Sequence, residues 1–404
     1  LYYFFINIYK FIFNYLFYHL FYLKMEKIPP LNNKELENIK NFKYVGSNES
    51  IVYNNIVSPF LNKILDLGLV PEWIAPNLMT VLSLMFNIIG FLFVICEAGN
   101  DFSHKLSKLT TLVITITHYL YIFFDNLDGK QARKTKTSSS FGMLLDHGCD
   151  VFTNICVLFN ISHLVRLGND TLFIQYFIIC LFLGFYATTY EEYVLGEMHL
   201  GIINGPDEGN FLIATGSLVS FLLGNDFWLI KIKYINMTIG EFIIFLNFNA
   251  SYLTAIFPLY YHVIKRKGWK RFWELLYDFI LFTNIILFPG VYLLLNKEIY
   301  ANNLTLIIFF VASLYSKMTI YMQLCICTGD KYINTWDSII SNIIIIMNYF
   351  FINEKFLIYS LIFSIIIVGS NLIKLIYIRS NEILNYLNIR FLVIPYKKKE
   401  AKPN

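Results

Sequence analysis

Residues 121–151 read YIFFDNLDGKQARKTKTSSSFGMLLDHGCDV. Two pairs of aspartates stand in this stretch. Asp125 and Asp128 are three residues apart, and Asp146 and Asp150 are four apart. On a helix either spacing puts both carboxylates on one face. Apolar and aromatic residues precede the first pair, and apolar residues follow the second. The pairs are therefore expected at the facing ends of two membrane-spanning helices. The connection between them, rich in Lys, Thr and Ser, is short, so the helices must be antiparallel neighbours with both pairs at one depth. This hairpin sets the fold class, an all-α polytopic integral membrane protein.

The rest of the chain agrees. Only 15% of its 404 residues are charged and 56% are apolar, against about a quarter charged in an ordinary soluble domain. Long apolar runs separate the charges, and a spanning helix needs about 20 mostly apolar residues. The predicted spans are 77–97, 107–124, 146–167, 171–192, 210–224, 236–264, 274–296, 303–328, 332–352 and 355–378, about ten helices. With residue 77 placed in the cytosol, Lys130, Arg133, Lys134 and Lys136 are cytosolic. So are the cluster Lys265 to Arg271 and the tail with Lys397, Lys398 and Lys399. That is the positive-inside pattern. Lys34 to Phe42 is charged and Ile51 to Leu67 amphipathic, so helices lying on the membrane surface are expected there. Residues 1–24 form an apolar extension before the first methionine, Met25; it reads as an extra anchor helix, a signal-like segment or sequence upstream of a true start at Met25. The net charge of +4 is too small to indicate nucleic-acid binding. The six cysteines show no metal-ligand spacing and read as buried thiols.

Four ionised carboxylates so close together repel one another, and acidic residues near the bilayer are costly. A hard cation removes both problems, and carboxylate oxygens suit Mg²⁺, Mn²⁺ or Ca²⁺. Four aspartates can hold two such ions as a clamp on a pyrophosphate. Gly129, Ala132 and Gly142 are small where a nucleotide approaches backbone, and Arg133 is placed to meet phosphate oxygens. A single aspartate at a helix end is more simply a solvated terminus. The whole pattern, D-x-x-D-G-x-x-A-R, eight residues, then G-x-x-x-D-x-x-x-D, is too specific for that reading. His118 and His163 fall inside spans and read as packing residues. Trp73 and Trp269 read as interfacial anchors.

The pattern is similar to the signature of the CDP-alcohol phosphatidyltransferase family. The longer string DGKQAR…DHGCD resembles the eukaryotic choline/ethanolamine phosphotransferase branch. The likeness runs from about Met25 to Pro395. It includes Ala75-Pro76-Asn77-Leu78, then Glu191-Glu192-Tyr193 with Gly196, the pairs Gly205-Pro206 and Glu208-Gly209, and a weaker echo at Ser316-Lys317-Met318-Thr319. The resemblance implies transfer of phosphocholine or phosphoethanolamine from CDP-choline or CDP-ethanolamine to diacylglycerol, releasing CMP. It implies Asp125, Asp128, Asp146 and Asp150 as ligands of Mg²⁺ or Mn²⁺, two ions per site. Asn77, Tyr121, Asn126, Gly129 and Arg133 would line the CDP-alcohol site. Residues 25–75 would be interfacial, 76–224 the catalytic helices, 225–380 the remaining spans and 381–404 a basic cytosolic tail. A homodimer and an endoplasmic-reticulum membrane, with the site facing the cytosol, are family-level expectations.

His147 is the better candidate for the base, with Asp150 the alternative. An imidazole titrates near neutral pH, whereas an aspartate bound to metal is a poor base. In one respect the chain departs from the branch, which tends to carry a glutamate one helical turn before this histidine. Here that position is Met143. Either His147 works unassisted, which the sequence alone favours, or a carboxylate from elsewhere, such as Glu191, Glu192 or Glu208, takes that place. Two other functions compete. Another branch of the family would use CDP-diacylglycerol with an inositol or glycerol phosphate acceptor, but its members are shorter and lack the DHGCD string. An ion-coupled transporter would place its acids near mid-membrane in repeated halves, and no repeat is visible.

Overall fold

The helices follow from local signals that recur along the chain, and the computed structural model describes them over residues 28–168, 171–294, 297–333, 341, 343 and 354–394. The first are α1 (Asn33–Asn41), α2 (Ser58–Asp66), α3 (Pro76–Ala98), α4 (Lys108–Thr135), α5 (Ser140–Leu164) and α6 (Thr171–Leu195). After them come α7 (Asn210–Leu223), α8 (Ile239–Ser251), α9 (Phe257–Leu294), α10 (Lys297–Asn302), α11 (Leu304–Thr328) and α12 (Glu354–Leu387). The protein is an all-α integral membrane protein. Among the described residues, four helices are long and apolar enough to cross a membrane: Pro76–Ala98, Ser140–Leu164, Leu304–Thr328 and the Ile358–Leu387 part of α12. Among the described residues, the expected count of ten spans is thus not confirmed.

The differences have physical causes. Helix α4 is diluted by Thr110, Thr111, Thr115, Thr117 and His118, all buried. The hydroxyls of Thr111, Thr115 and Thr117 turn back on their own helix, with Thr115 Oγ1 donating to the Thr111 carbonyl at 2.7 Å, and Thr110 Oγ1 donates to Glu97 on α3, so these hydroxyls are satisfied without solvent. The expected spans 236–264 and 274–296 are not separated by a loop. A π-helical turn, Tyr252–Ile256, joins α8 to α9, and α9 continues to Leu294 across a kink at Gly268, φ 81°, a conformation that glycine adopts without steric penalty. Most of the 332–352 span, the 1–24 extension and the Lys397 to Lys399 tail lie outside the described residues.

Helices α3, α4 and α5 pack together at the centre of the site. Their close approach depends on Gly90, where a Cβ would come within 2.9 Å of Thr117 Oγ1 and 3.2 Å of Asn160 Nδ2. His118 bonds to Asn87 across this contact at 3.1 Å, and His163 stacks on Phe102 with ring centroids 4.2 Å apart. Both are packing residues, as expected. Helix α11 packs against α5, α6 and α12 and is buried over most of its length. Phe182 of α6 stacks on Tyr315 of α11 at 4.2 Å.

The amphipathic segment before α3 docks on one end of this bundle. Helix α1, opened by a reciprocal Asn32–Glu35 capping box, packs on α11 and α12, and Asn38 Nδ2 donates to the Thr328 carbonyl at 2.7 Å. Helix α2 buries Leu61 and Leu65 with Met79 and Leu127. Lys134 reaches its last-turn carbonyl at Leu65, 2.8 Å, and Lys130 reaches Ser58 and Asn62. Those lysines, whose sequence reading is a cytosolic topology signal, are also helix-borne anchors for α2.

A two-stranded parallel sheet pairs β1 (Gly46–Asn48) with β2 (Met198–Leu200). Glu208 reinforces it by accepting from Ser50 Oγ at 2.7 Å, Val52 N at 3.1 Å and Asn204 N at 3.0 Å. Asn48 and Asn204 donate to Asp207, whose carboxyl burial raises above its ordinary range. Glu208→Ala strands these donors. It should cost about 2 kcal/mol, read as a lower thermal midpoint of the purified protein in detergent.

Candidate active site

Helix α4 carries Tyr121, Asp125, Asn126, Asp128, Gly129 and Arg133, and α5 carries Gly142, Asp146, His147 and Asp150. The connection between the helices is residues 136–139, and Ser139 caps α5 by accepting from Gly142 N at 3.1 Å. The helices overrun their expected ends. Asp125 and Asp128 lie inside α4, which continues to Thr135, and Asp146 lies inside α5, which starts at Ser140. The acids thus project from rigid helix rather than from frayed termini.

One carboxylate oxygen from each of Asp125, Asp146 and Asp150 lies within 4.8 Å of the others. Two oxygens bound to one hard cation at 2.0–2.6 Å lie no more than about 5 Å apart, so the set fits a single ion with little movement. Asp146 Oδ1 is sealed from solvent without a hydrogen-bond partner, as a metal-directed oxygen would be. Asp128 is held differently. It is buried and accepts a short hydrogen bond from the Thr80 hydroxyl on α3. Nothing in the local sequence pattern marks Thr80.

Two cavities meet the acids. The first, about 230 Å³, is lined by Asp128, Asp146, His147, Asn77, Gly129 and Arg133, with Tyr44 and residues 389–391, 393 and 394 at its wall. The second, about 120 Å³, is lined by Asp125, Asp150, Tyr121, Asn154, His199 and Asn210 among others. Of the residues expected around a nucleotide, Asn77, Gly129 and Arg133 share the first cavity and Tyr121 faces the second. The Tyr121 hydroxyl donates to Asp150 Oδ1 at 3.4 Å. Asn126 lines neither cavity, and its amide donates to the Ile122 carbonyl one turn back at 2.9 Å. Asn77 Nδ2 donates to the Phe391 carbonyl at 2.8 Å, so the segment after α12 forms part of the site. From sequence alone that segment belongs to the basic tail, residues 381–404. Its apolar Phe391-Leu392-Val393-Ile394 run, set between charged residues, was the available signal.

His147 is buried, with the Tyr44 ring edge-on at 5.7 Å between centroids. Gln323 Nε2 of α11 donates to its main-chain carbonyl at 3.2 Å. Glu191 is engaged by His262 Nδ1 at 2.5 Å.

Comparison with known proteins bears on this geometry. Residues 73–257 match the family model for CDP-alcohol phosphatidyltransferase, a narrower stretch than Met25 to Pro395. Uncharacterized CDP-alcohol phosphatidyltransferase class-I family protein 3 of Dictyostelium discoideum is 37% identical over 204 residues, 50% of each chain. Choline/ethanolaminephosphotransferase 2 of Arabidopsis thaliana is 32% identical over 198 residues, 47% of each chain. Cholinephosphotransferase 1 of Xenopus laevis is 30% identical over 208 residues, 51% of this chain and 50% of its own. The match spans about half the length of these curated relatives. Over residues 73–257 the chain is therefore similar to CDP-alcohol phosphatidyltransferases.

Proposed function

We propose that this membrane protein, through its CDP-alcohol phosphatidyltransferase domain, transfers phosphocholine or phosphoethanolamine from CDP-choline or CDP-ethanolamine to diacylglycerol, giving phosphatidylcholine or phosphatidylethanolamine and CMP. The observation that carries the reading is the carboxylate cluster of Asp125, Asp146 and Asp150, set between two cavities and next to His147.

Asp125, Asp128, Asp146 and Asp150 would hold Mg²⁺ or Mn²⁺, two ions on this reading. Bound there, metal would neutralise the carboxylates and supply positive charge beside the pyrophosphate. Thr80 orients Asp128 through its hydrogen bond, as the outer partner of a metal ligand does. Arg133, beside Gly129 in the first cavity, meets phosphate oxygens. Asn77 contacts the nucleotide from the same wall.

In the reaction the acceptor hydroxyl oxygen attacks the phosphorus that bears the head group. The new P–O bond forms as the bond from that phosphorus to the bridging oxygen breaks, and CMP leaves with the electron pair. The hydroxyl proton passes to His147. Asp150 is the weaker candidate for this step because it accepts from Tyr121 and belongs to the carboxylate cluster. The site would face the cytosol of the endoplasmic reticulum, where the donors are soluble and the acceptor lies in the bilayer.

Purified protein should incorporate labelled CDP-choline, CDP-ethanolamine or both into lipid when diacylglycerol and Mg²⁺ or Mn²⁺ are present, and a chelator should stop it. CDP-diacylglycerol should not compete. Absence of transfer from both donors, with metal and acceptor supplied, would sink the proposal. Ion flux without CMP release would point to transport instead.

A further inference from the structure

Beside the carboxylate cluster, two buried polar atoms face each other with no partner assigned to either. His147 Nδ1 on α5 and Glu192 Oε2 on α6 are both sealed from solvent and make no hydrogen bond. They are 3.9 Å apart. Buried polar groups left unpaired in this way are rare in folded proteins. Closing this gap to an ordinary hydrogen bond needs a movement of about 1 Å, within the reach of a side-chain rotation.

The surroundings single out this pair. Met143, one helical turn before His147 on the same face, has no group that binds an imidazole N–H. Glu191 is taken by His262, and Glu208 is taken by Ser50, Val52 and Asn204. Glu192 is thus the carboxylate that faces the ring. The main chain of His147 is already anchored by Gln323, and Tyr44 stands edge-on to the imidazole. What remains to be set is the ring's rotation and tautomer. With Nδ1 turned to the protein, Nε2 is the nitrogen available to the first cavity, which His147 lines.

We propose that Glu192 is the positioning residue of His147: its carboxylate accepts the Nδ1–H and holds the ring in the tautomer whose Nε2 offers its lone pair to the cavity. This rests on the phosphotransferase reading for its role in catalysis, though not for the contact itself. A carboxylate supplied by a different helix thereby does what a carboxylate at position 143 could do from the same one. A partner that fixes an imidazole's tautomer from behind acts on the chemical step more than on substrate binding.

The test exchanges the two side chains across the ring. In the full-length protein with metal and diacylglycerol, Glu192→Met should lower kcat about 100-fold while changing KM for the CDP-alcohol by less than about threefold. Adding Met143→Glu to that variant should recover at least about tenfold of the loss. A purely structural role for Glu192 predicts no recovery, because the second change adds a buried acid without refilling the first site. A Glu192→Met enzyme within about threefold of wild-type rate, or an exchanged variant that is folded and recovers nothing, overturns the proposal.

A second readout does not depend on turnover. In protein labelled with ¹⁵N-histidine, the His147 resonances, assigned by their loss in His147→Gln, should report a protonated Nδ1 and a bare Nε2. The Nδ1–H preference should disappear in Glu192→Met and return in the exchanged variant. A wild-type ring protonated on Nε2 overturns the positioning role. Absence of transfer with the expected tautomer present would instead remove the phosphotransferase reading and leave the contact standing. If Glu192→Met alone fails to fold, the exchanged variant and the wild-type tautomer decide the matter.

Discussion

Asp146→Asn is expected to reduce head-group transfer at least about 100-fold, since metal held at a developing charge contributes several kcal/mol to the transition state. The choice of Asp146 is structural. Its carboxylate is one of the three that converge within 4.8 Å, and its Oδ1 is sealed without a hydrogen-bond partner. A structural carboxylate would have donors around it. Two further outcomes separate a ligand from a structural acid. Adding Mn²⁺ should raise the thermal midpoint of wild type, by about 2.7 kcal/mol of stabilisation at a hundredfold excess over Kd, and should do so much less in the variant. In chelator the variant should be at least as stable as wild type, because removing one of several crowded like charges relieves repulsion. A variant that is destabilised in chelator and still stabilised by metal would take Asp146 out of the ligand set.

His147→Ala is expected to lower kcat by about 10²–10⁴, the range for loss of a positioned general base, with the metal-induced rise in thermal midpoint retained. The pairing of those two readouts matters because His147 directly follows Asp146 in sequence. Loss of rate together with loss of metal stabilisation would mean that the substitution had disturbed the cluster and not the base. A His147→Ala enzyme near full rate would move the proton transfer to Asp150. The proton would then pass to Asp150 Oδ2, because Oδ1 accepts from Tyr121.

Several features of the site depend on departures from ideal helix-end geometry. Because α4 runs on to Thr135 and α5 begins at Ser140, the acids are carried by hydrogen-bonded helix on both sides. Their positions are set by the packing of α3, α4 and α5, and a flexible turn does not intervene. The lysines of the α4 extension then hold α2 in place. A basic segment read as a topology signal is in this way also part of the scaffold.

Short-range spacing determined a good deal about this protein. Separations of three and four residues put each aspartate pair on one helix face, and the short connection forced the two faces together. Apolar run length made the chain an all-α membrane protein, and the aspartate pattern pointed to the CDP-alcohol phosphatidyltransferase domain that residues 73–257 match. These properties depend on periodicity over one or two turns, and that is written in the chain. Only the tertiary structure decided that three of the four acids converge while Asp128 turns to Thr80, that Asn126 bonds back to its own helix, and that residues 389–391, 393 and 394 close one wall. It also decided which of Glu191, Glu192 and Glu208 faces His147. The three acids are near one another in sequence and alike in chemistry. What separates them is the rotation of α6 against α5 and the pairing of β1 with β2, contacts between segments far apart in the chain whose register no local spacing specifies.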